Sequence, residues 1–189
     1  LAGNIKKETA RARVEHWFAD IENKKKPVDA IPQEPAQKEA RLVEKEANVP
    51  LNAIYKAYHM GDRTSSNYYV MDLITDLFSE GRSSRFHNAL IKKSKAFTEI
   101  DAYITGNLDA GLLIIEGKLN QGVNHKEADA LIQEELDRIK NEKVSVRELE
   151  KAQNKLQSYY SFSEINLLNR AANLAFTEAI GMPNLINEE

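Results

Sequence analysis

The chain has 189 residues, enough for one domain with a sizeable core and some further length. Lys and Arg number 26 against 29 Asp and Glu, a net charge of -3. No basic stripe stands out, which argues against nucleic acid as the main partner. Cysteine is absent, and that excludes disulfides, Cys-based zinc sites and a cysteine nucleophile. No apolar run is long enough to span a bilayer, so no membrane partner is expected. The chain starts at Leu1 with no visible signal peptide, and any targeting segment is expected upstream. The expected setting is soluble, and cytoplasmic or periplasmic if the source is bacterial.

Residues 1–22 read as a strand remnant followed by a helix. Val14, Trp17, Phe18 and Ile21 recur at helical spacing and form an apolar stripe. Residues 23–38 read as a linker, because Pro27, Pro32 and Pro35 interrupt any helix or ladder. The short cluster Lys24-Lys25-Lys26 lies in that linker and reads as solvated charge rather than a phosphate grip. A domain then runs from residue 39 to 189, expected to be incomplete at its C-terminus.

Two strands are expected first, Arg41 to Val49 and Leu51 to Met60. The second carries apolar residues on both faces, with Leu51, Ala53, Tyr55 and Ala57 on one and Ile54, Tyr58 and Met60 on the other. Cover on both sides is therefore expected, at least in part. Gly61 to Ser66 is a polar turn. Val70, Leu73, Ile74, Leu77 and Phe78 follow the spacing of a core-facing helix, which Gly81 can stop. Ser83 or Ser84 can cap a second helix running to about Lys95, with Phe86, Leu90 and Ile91 inward.

Thr98 to Thr105 alternates through Ile100, Ala102 and Ile104, and Leu112 begins a second strand that ends at Leu119. The turn from Gly106 to Gly111 joins them as an antiparallel hairpin. After Gly122 a helix places Ala128, Leu131, Ile132, Leu136 and Ile139 on one stripe. Ser145-Val146-Arg147-Glu148 is a capping box, and Leu149, Ala152, Leu156 and Tyr160 continue that helix inward. More helix follows to about Ile180, ended by Gly181 and Pro183. The order of strands, helices, strands and helices predicts an α+β fold, an antiparallel-rich sheet packed against helices.

A search for chemistry finds little. The four histidines, His16, His59, His87 and His125, include no pair at helical ligand spacing, and His-x-x-Glu-His is absent. His125-Lys126-Glu127 reads as a helix start with surface polar groups. Ser83 and Ser84 beside His87 read as a cap and a surface histidine, because no Gly-x-Ser-x-Gly elbow surrounds them. Glu134, Glu135 and Asp137 read as a solvated helix face. Tyr55, Tyr58, Tyr68 and Tyr69 read as core and rim residues. No phosphate-cradling glycine loop is present. The expectation is that this chain has no catalytic, cofactor-binding or metal residues of its own.

Four local motifs, in order and at fitting spacing, resemble the second, non-zinc domain of the pitrilysin/insulinase-type zinc peptidases, which include the mitochondrial processing peptidase. Trp17-Phe18-Ala19-Asp20-Ile21, after Leu1-Ala2-Gly3-Asn4 and a helix, resembles the end of the family's first domain. Leu77-Phe78-Ser79-Glu80-Gly81-Arg82-Ser83-Ser84-Arg85-Phe86 is similar to its Gly-rich Ser-Ser-Arg stretch between two helices. Asn107-Leu108-Asp109-Ala110-Gly111-Leu112 resembles its hairpin turn. Val144-Ser145-Val146-Arg147-Glu148-Leu149-Glu150-Lys151-Ala152-Gln153-Asn154 resembles the opening of its long helix.

The resemblance implies a zinc metalloendopeptidase as the parent protein, with zinc held upstream of this chain and none within it. It implies a peptide or unfolded protein as substrate, and a second half-domain or subunit of the same family as partner. This domain would form a chamber wall and support the zinc domain and the partner half. A surface meant to cover another domain would also favour a homo-oligomer. The alternative is a domain of a catalytically inactive member acting as a scaffold or partner subunit. The family's companion half carries a substrate-gripping Arg and Tyr, whose places fall here on Ile91 and Thr98. Neither side chain can do that work. Within the Ser-Ser-Arg stretch, the resemblance implies structural roles: Ser84 as a cap and Arg85 as a bridge between elements.

Overall fold

Alternation of apolar and polar residues makes the central strands, and a glycine fits two of them to a ring. The computed structural model describes residues 1–22, 32, 34–163 and 165–183. Most of the expected linker over 23–38, including Lys24 to Lys26 and Pro27, lies outside the described residues. Residues 47–158 form one compact unit, and residues 1–46 with 159–189 form another.

Within the first of these, β1 (Ala53–Met60), β2 (Phe97–Ile104) and β3 (Gly111–Leu119) build an antiparallel sheet in the order β1-β3-β2. β2 and β3 are the expected hairpin. Leu113, Ile115 and Leu119 of β3 point to the same side as Ile100 and Ala102 of β2, and all are buried. Gly117 completes this row. A Cβ there would lie 2.7 Å from the Phe97 ring, so only glycine lets that buried ring lie against the strand.

The helices pack on this one side. α2 (Tyr68–Ser79) contributes Phe78, Met71 and Ile74 to the core. A π-helix (His87–Lys93) contributes Leu90, and Phe86 just before it stacks on Phe78 with ring centroids 4.6 Å apart. α3 (His125–Asn141) contributes Ala128, Ile132 and Leu136. Asn124 caps α3 by accepting from the Glu127 N–H at 2.9 Å. The α+β class is thereby established, with the sheet and its helices in two layers.

α4 (Val146–Ser163) is fastened to the loop after α2 by polar contacts, the first through the Glu148 carboxylate. Ser145 and Glu148 form the expected capping box: Glu148 accepts from the Ser145 N–H at 3.1 Å, and Ser145 Oγ accepts from the Glu148 N–H at 3.3 Å. The same carboxylate accepts from Arg85 Nε at 3.1 Å and Nη2 at 3.3 Å. Arg85 thus bridges the loop after α2 to the start of α4, and its side chain is only 10% exposed. Further along α4, Lys151 Nζ donates to Ser83 Oγ, and Lys155 Nζ meets both Asp76 and Glu80. The Arg85 guanidinium, first, and Ser145 hold the Glu148 carboxyl down to about 2.

In the second unit, α1 (Lys7–Phe18) buries no residue. α5 (Leu167–Ala179) starts at Asn166, whose side chain accepts from the Leu168 and Asn169 N–H groups. Gly181, at φ +74, marks its end.

Several expectations need correction. Residues 1–6 carry no strand, and the helix that follows ends at Phe18, short of Ile21; Val14, Trp17, Phe18 and Ile21 are exposed. Arg41 to Val49 is not a strand: it joins no ladder, and Leu42 and Val43 stand almost fully in solvent. β propensity without a neighbouring strand to pair with does not make a strand. β1 is covered on one face only, because every helix of the unit that packs on the sheet lies on the side of Ile54 and Met60, leaving Tyr55 and Ala57 exposed. Val70 is exposed, and Met71 and Thr75 take the inward places beside Ile74 and Phe78. The helix capped by Ser84 widens into π geometry, with Ser94 N–H bonding Ala89 O at 3.0 Å. Leu149 is more exposed than an inward residue should be, and on α4 only Ala152 is buried. Glu135 is not on a solvated face: it is buried, and Arg138 Nη1 donates to it at 2.8 Å.

Two outcomes follow from these contacts. Gly117→Val should lower stability by about 1–3 kcal/mol, because two further methyl-sized groups meet the Phe97 ring; a urea midpoint equal to that of the unaltered chain would contradict the packing. Glu148 has a folded value below its ordinary one, so its stabilisation is present above about pH 4.5 and is lost as pH falls towards 2. Glu148→Gln should therefore separate from the unaltered chain in urea midpoint at pH 6, and the gap should close between pH 5 and pH 2. A gap independent of pH would contradict the ion pair.

Candidate functional site

One-sided packing leaves the other face of the sheet open, and register decides what stands on it. Side chains alternate across a strand, so the core set on β3 fixes Leu112, Ile114, Glu116 and Lys118 on the opposite side. Their β1 neighbours are His59, Ala57, Tyr55 and Ala53, in that order. Their β2 neighbours include Tyr103 beside Ile114, Asp101 beside Glu116 and Glu99 beside Lys118.

The face therefore has an apolar centre in Leu112 and Ile114, two tyrosines and a set of charges. Tyr55 is 70% exposed and Tyr103 38%. Lys118 Nζ donates to Glu99, and Tyr103 Oη donates to Glu116 Oε2 at 3.3 Å. Desolvation, followed by the charge of Glu116, holds the Tyr103 phenol above its ordinary value. The edge strands β1 and β2 each have a single partner in the sheet. The outer side of β1 offers backbone groups to an added strand, whereas on the outer side of β2 Ala102 already donates its N–H to Asp101 Oδ1 and accepts from Ser79 Oγ.

The polar residues considered for chemistry are placed apart. His16 lies on α1, His59 on β1, His87 at the start of the π-helix and His125 at the start of α3. Among the described residues, no three His, Asp or Glu side chains converge on a point where a metal ion could sit. Ser84 is buried and accepts from the His87 N–H at 3.4 Å, while Ser83 meets Lys151. Ser84 and Arg85 thus serve the helix junction. Ile91 packs against the core, and Thr98, exposed, donates from Oγ1 to the Lys118 carbonyl at the irregular start of β2.

Among the described residues, no helix is long and apolar enough to cross a membrane. The pairing of Tyr55 and Asp101 across Glu116 was missed in sequence, although the alternation of Glu99, Asp101 and Tyr103 with Ile100, Ala102 and Ile104 signals it.

Comparison with known proteins agrees with the fold. Residues 1–156 match the family model described as the peptidase M16 inactive domain. No curated protein sequence matches the chain. A protease from Helicobacter pylori superposes with a TM-score of 0.83 at 17% identity, over 98% of this chain and 47% of that one. The chain thus spans about half the length of that relative. The inactive peptidase domain of a proposed zinc protease from Bordetella parapertussis gives 0.64 at 21% identity, over 71% of this chain and 73% of that one. The periplasmic protease PqqL from Escherichia coli gives 0.59 at 16% identity, over 96% of this chain and 21% of that one. At these identities the structures speak for the fold, and the family match covers most of the chain: the chain belongs to the family of peptidase M16 inactive domains.

Proposed function

We propose that this chain is the non-catalytic domain of a zinc metalloendopeptidase, with the open face of its sheet forming a wall of the substrate chamber. The observation that carries this reading is that face itself. Helices cover the other side, while Leu112, Ile114, Tyr55 and Tyr103 stand together without cover of that kind. An extended peptide can lie on such a face, and it can also pair with the outer edge of β1. Zinc and the water-activating carboxylate belong in this reading to the preceding domain, for which residues 1–22 are the tail and 23–38 the linker. This chain contributes binding and support, not bond cleavage.

A second half or subunit of the same family is the expected partner, and the preceding domain is the expected neighbour. Both need surface to dock on. Trp17, Phe18 and Ile21 near one end of the chain, and Tyr159, Phe162, Leu167 and Leu168 near the other, are exposed apolar residues suited to being covered. In isolation the same residues favour self-association.

Titrating the purified chain with an unfolded peptide, followed by amide NMR, tests the reading. Shifts should concentrate in β1, β2 and β3, and the peptide should stay uncleaved. Unmoved sheet amides would overturn the chamber-wall role and leave a scaffold or partner subunit as the better account.

A further inference from the structure

We propose that α4 is a pivoted arm. Its stretch from Lys151 to Ser158 is latched by charge to α2 and the loop after it, and it lifts as those charges are screened, while Glu148 stays on Arg85. Two charged stripes make the latch. On α4, Glu148, Lys151 and Lys155 recur three and four residues apart and so share one face. Asp72, Asp76 and Glu80 recur four residues apart along α2 and its end. Like charges at that spacing repel, and Lys155 joins two of them: its Nζ meets Asp76 Oδ1 at 3.2 Å and Glu80 Oε2 at 3.1 Å. Lys151 Nζ donates to Ser83 Oγ at 2.6 Å and to the Glu80 carbonyl at 3.3 Å.

The two ends of the latch are held unequally. Arg85 meets Glu148 through two nitrogens, and the same carboxylate accepts from Ser145 Oγ. The Arg85 side chain is 10% exposed, so parting this pair would strand a buried guanidinium. Lys155, in contrast, is 42% exposed and Glu80 51%. Water and salt ions replace such contacts at little cost. Apolar packing does not hold the arm down in their place. Among the described residues, Ala152 is the buried residue of α4, Leu156 is half-buried, and the hydrophobic core takes no member from this helix. A small cavity lined by Leu77, Ser84 and Ala152 leaves part of the contact unfilled, and dispersion attraction is lost across such a gap. When the arm lifts, this cavity and the loop from Glu80 to Ser83 are uncovered.

The chain contains no cysteine, so two introduced cysteines take spin labels at those places alone. Lys92→Cys on the π-helix and Gln157→Cys on α4 are both at exposed positions. Electron–electron double resonance should give one distance at about 0.01 M salt and a second, longer one at about 1 M, as the screening length falls from about 30 Å to about 3 Å. Lys151→Gln/Lys155→Gln should show the longer distance already at low salt, and so should Asp76→Asn/Glu80→Gln, which removes the Lys155 partners from the other side. With the α4 label moved to Arg147→Cys, beside the pivot, one distance should persist at both salt concentrations. Amide exchange in β2 and β3 should be alike throughout. A single, salt-independent distance at Gln157→Cys would overturn the latch. Equal movement at both α4 labels would overturn the pivot, and loss of protection in β2 and β3 would show melting of the core in place of a moving arm.

Discussion

The packing of α2, the π-helix and α3 onto one side of a three-stranded sheet is the constraint from which the remaining features follow. Phe78, Phe86, Leu90 and Phe97 fill that side, with Ile115 and Leu119 beneath them. Burial of this kind stabilises by about 25 cal/mol for each Å² of apolar surface removed from water. Gly117 is the point where the start of β2 folds closest over β3, because the Phe97 ring occupies the space of a side chain. With the core committed to one face, the apolar residues of the other face are left for a ligand or partner. In the proposed function, Leu112 and Ile114 are the apolar centre of the surface that meets the peptide.

The second fixed point is the Glu148 carboxylate. It closes a capping box within α4 and receives the buried Arg85 from the loop after α2. A buried cation with a partner is tolerated, whereas one without is costly, so the loop and the helix are held to each other. Lys151 and Lys155 repeat the attachment down the same helix. The Ser-Ser-Arg stretch thus has a mechanical meaning: it fastens the long helix to the layer behind the sheet.

Much of this was legible in sequence, where the signal is local. The hairpin was written in alternation and a glycine-bearing turn, and the capping box in a Ser and a Glu three residues apart. What depended on distant neighbours was not. Arg41 to Val49 has strand-like residues but no strand to pair with. β1 has apolar residues on both faces, and only the placement of the helices reveals that Tyr55 and Ala57 stay open. Glu135 sits among polar neighbours in sequence, yet its helical phase puts it beside Ile132 and Leu136. The Arg138 three residues later was the available hint that it needed a partner. The row formed by Tyr55, Glu116 and Asp101 on the outward face escaped for a similar reason. Tyr55, Asp101 and Glu116 come from three strands, and register alone brings them together.

The central claim is that this domain binds and positions substrate for chemistry performed by another part of the protein. Its most direct test is steady-state peptide cleavage by the complete protein carrying Ile114→Ser, with zinc content measured alongside. The account predicts a raised KM, with kcat and zinc content unchanged. A lost kcat with lost zinc, or kinetics identical to those of the unaltered protein, would contradict it.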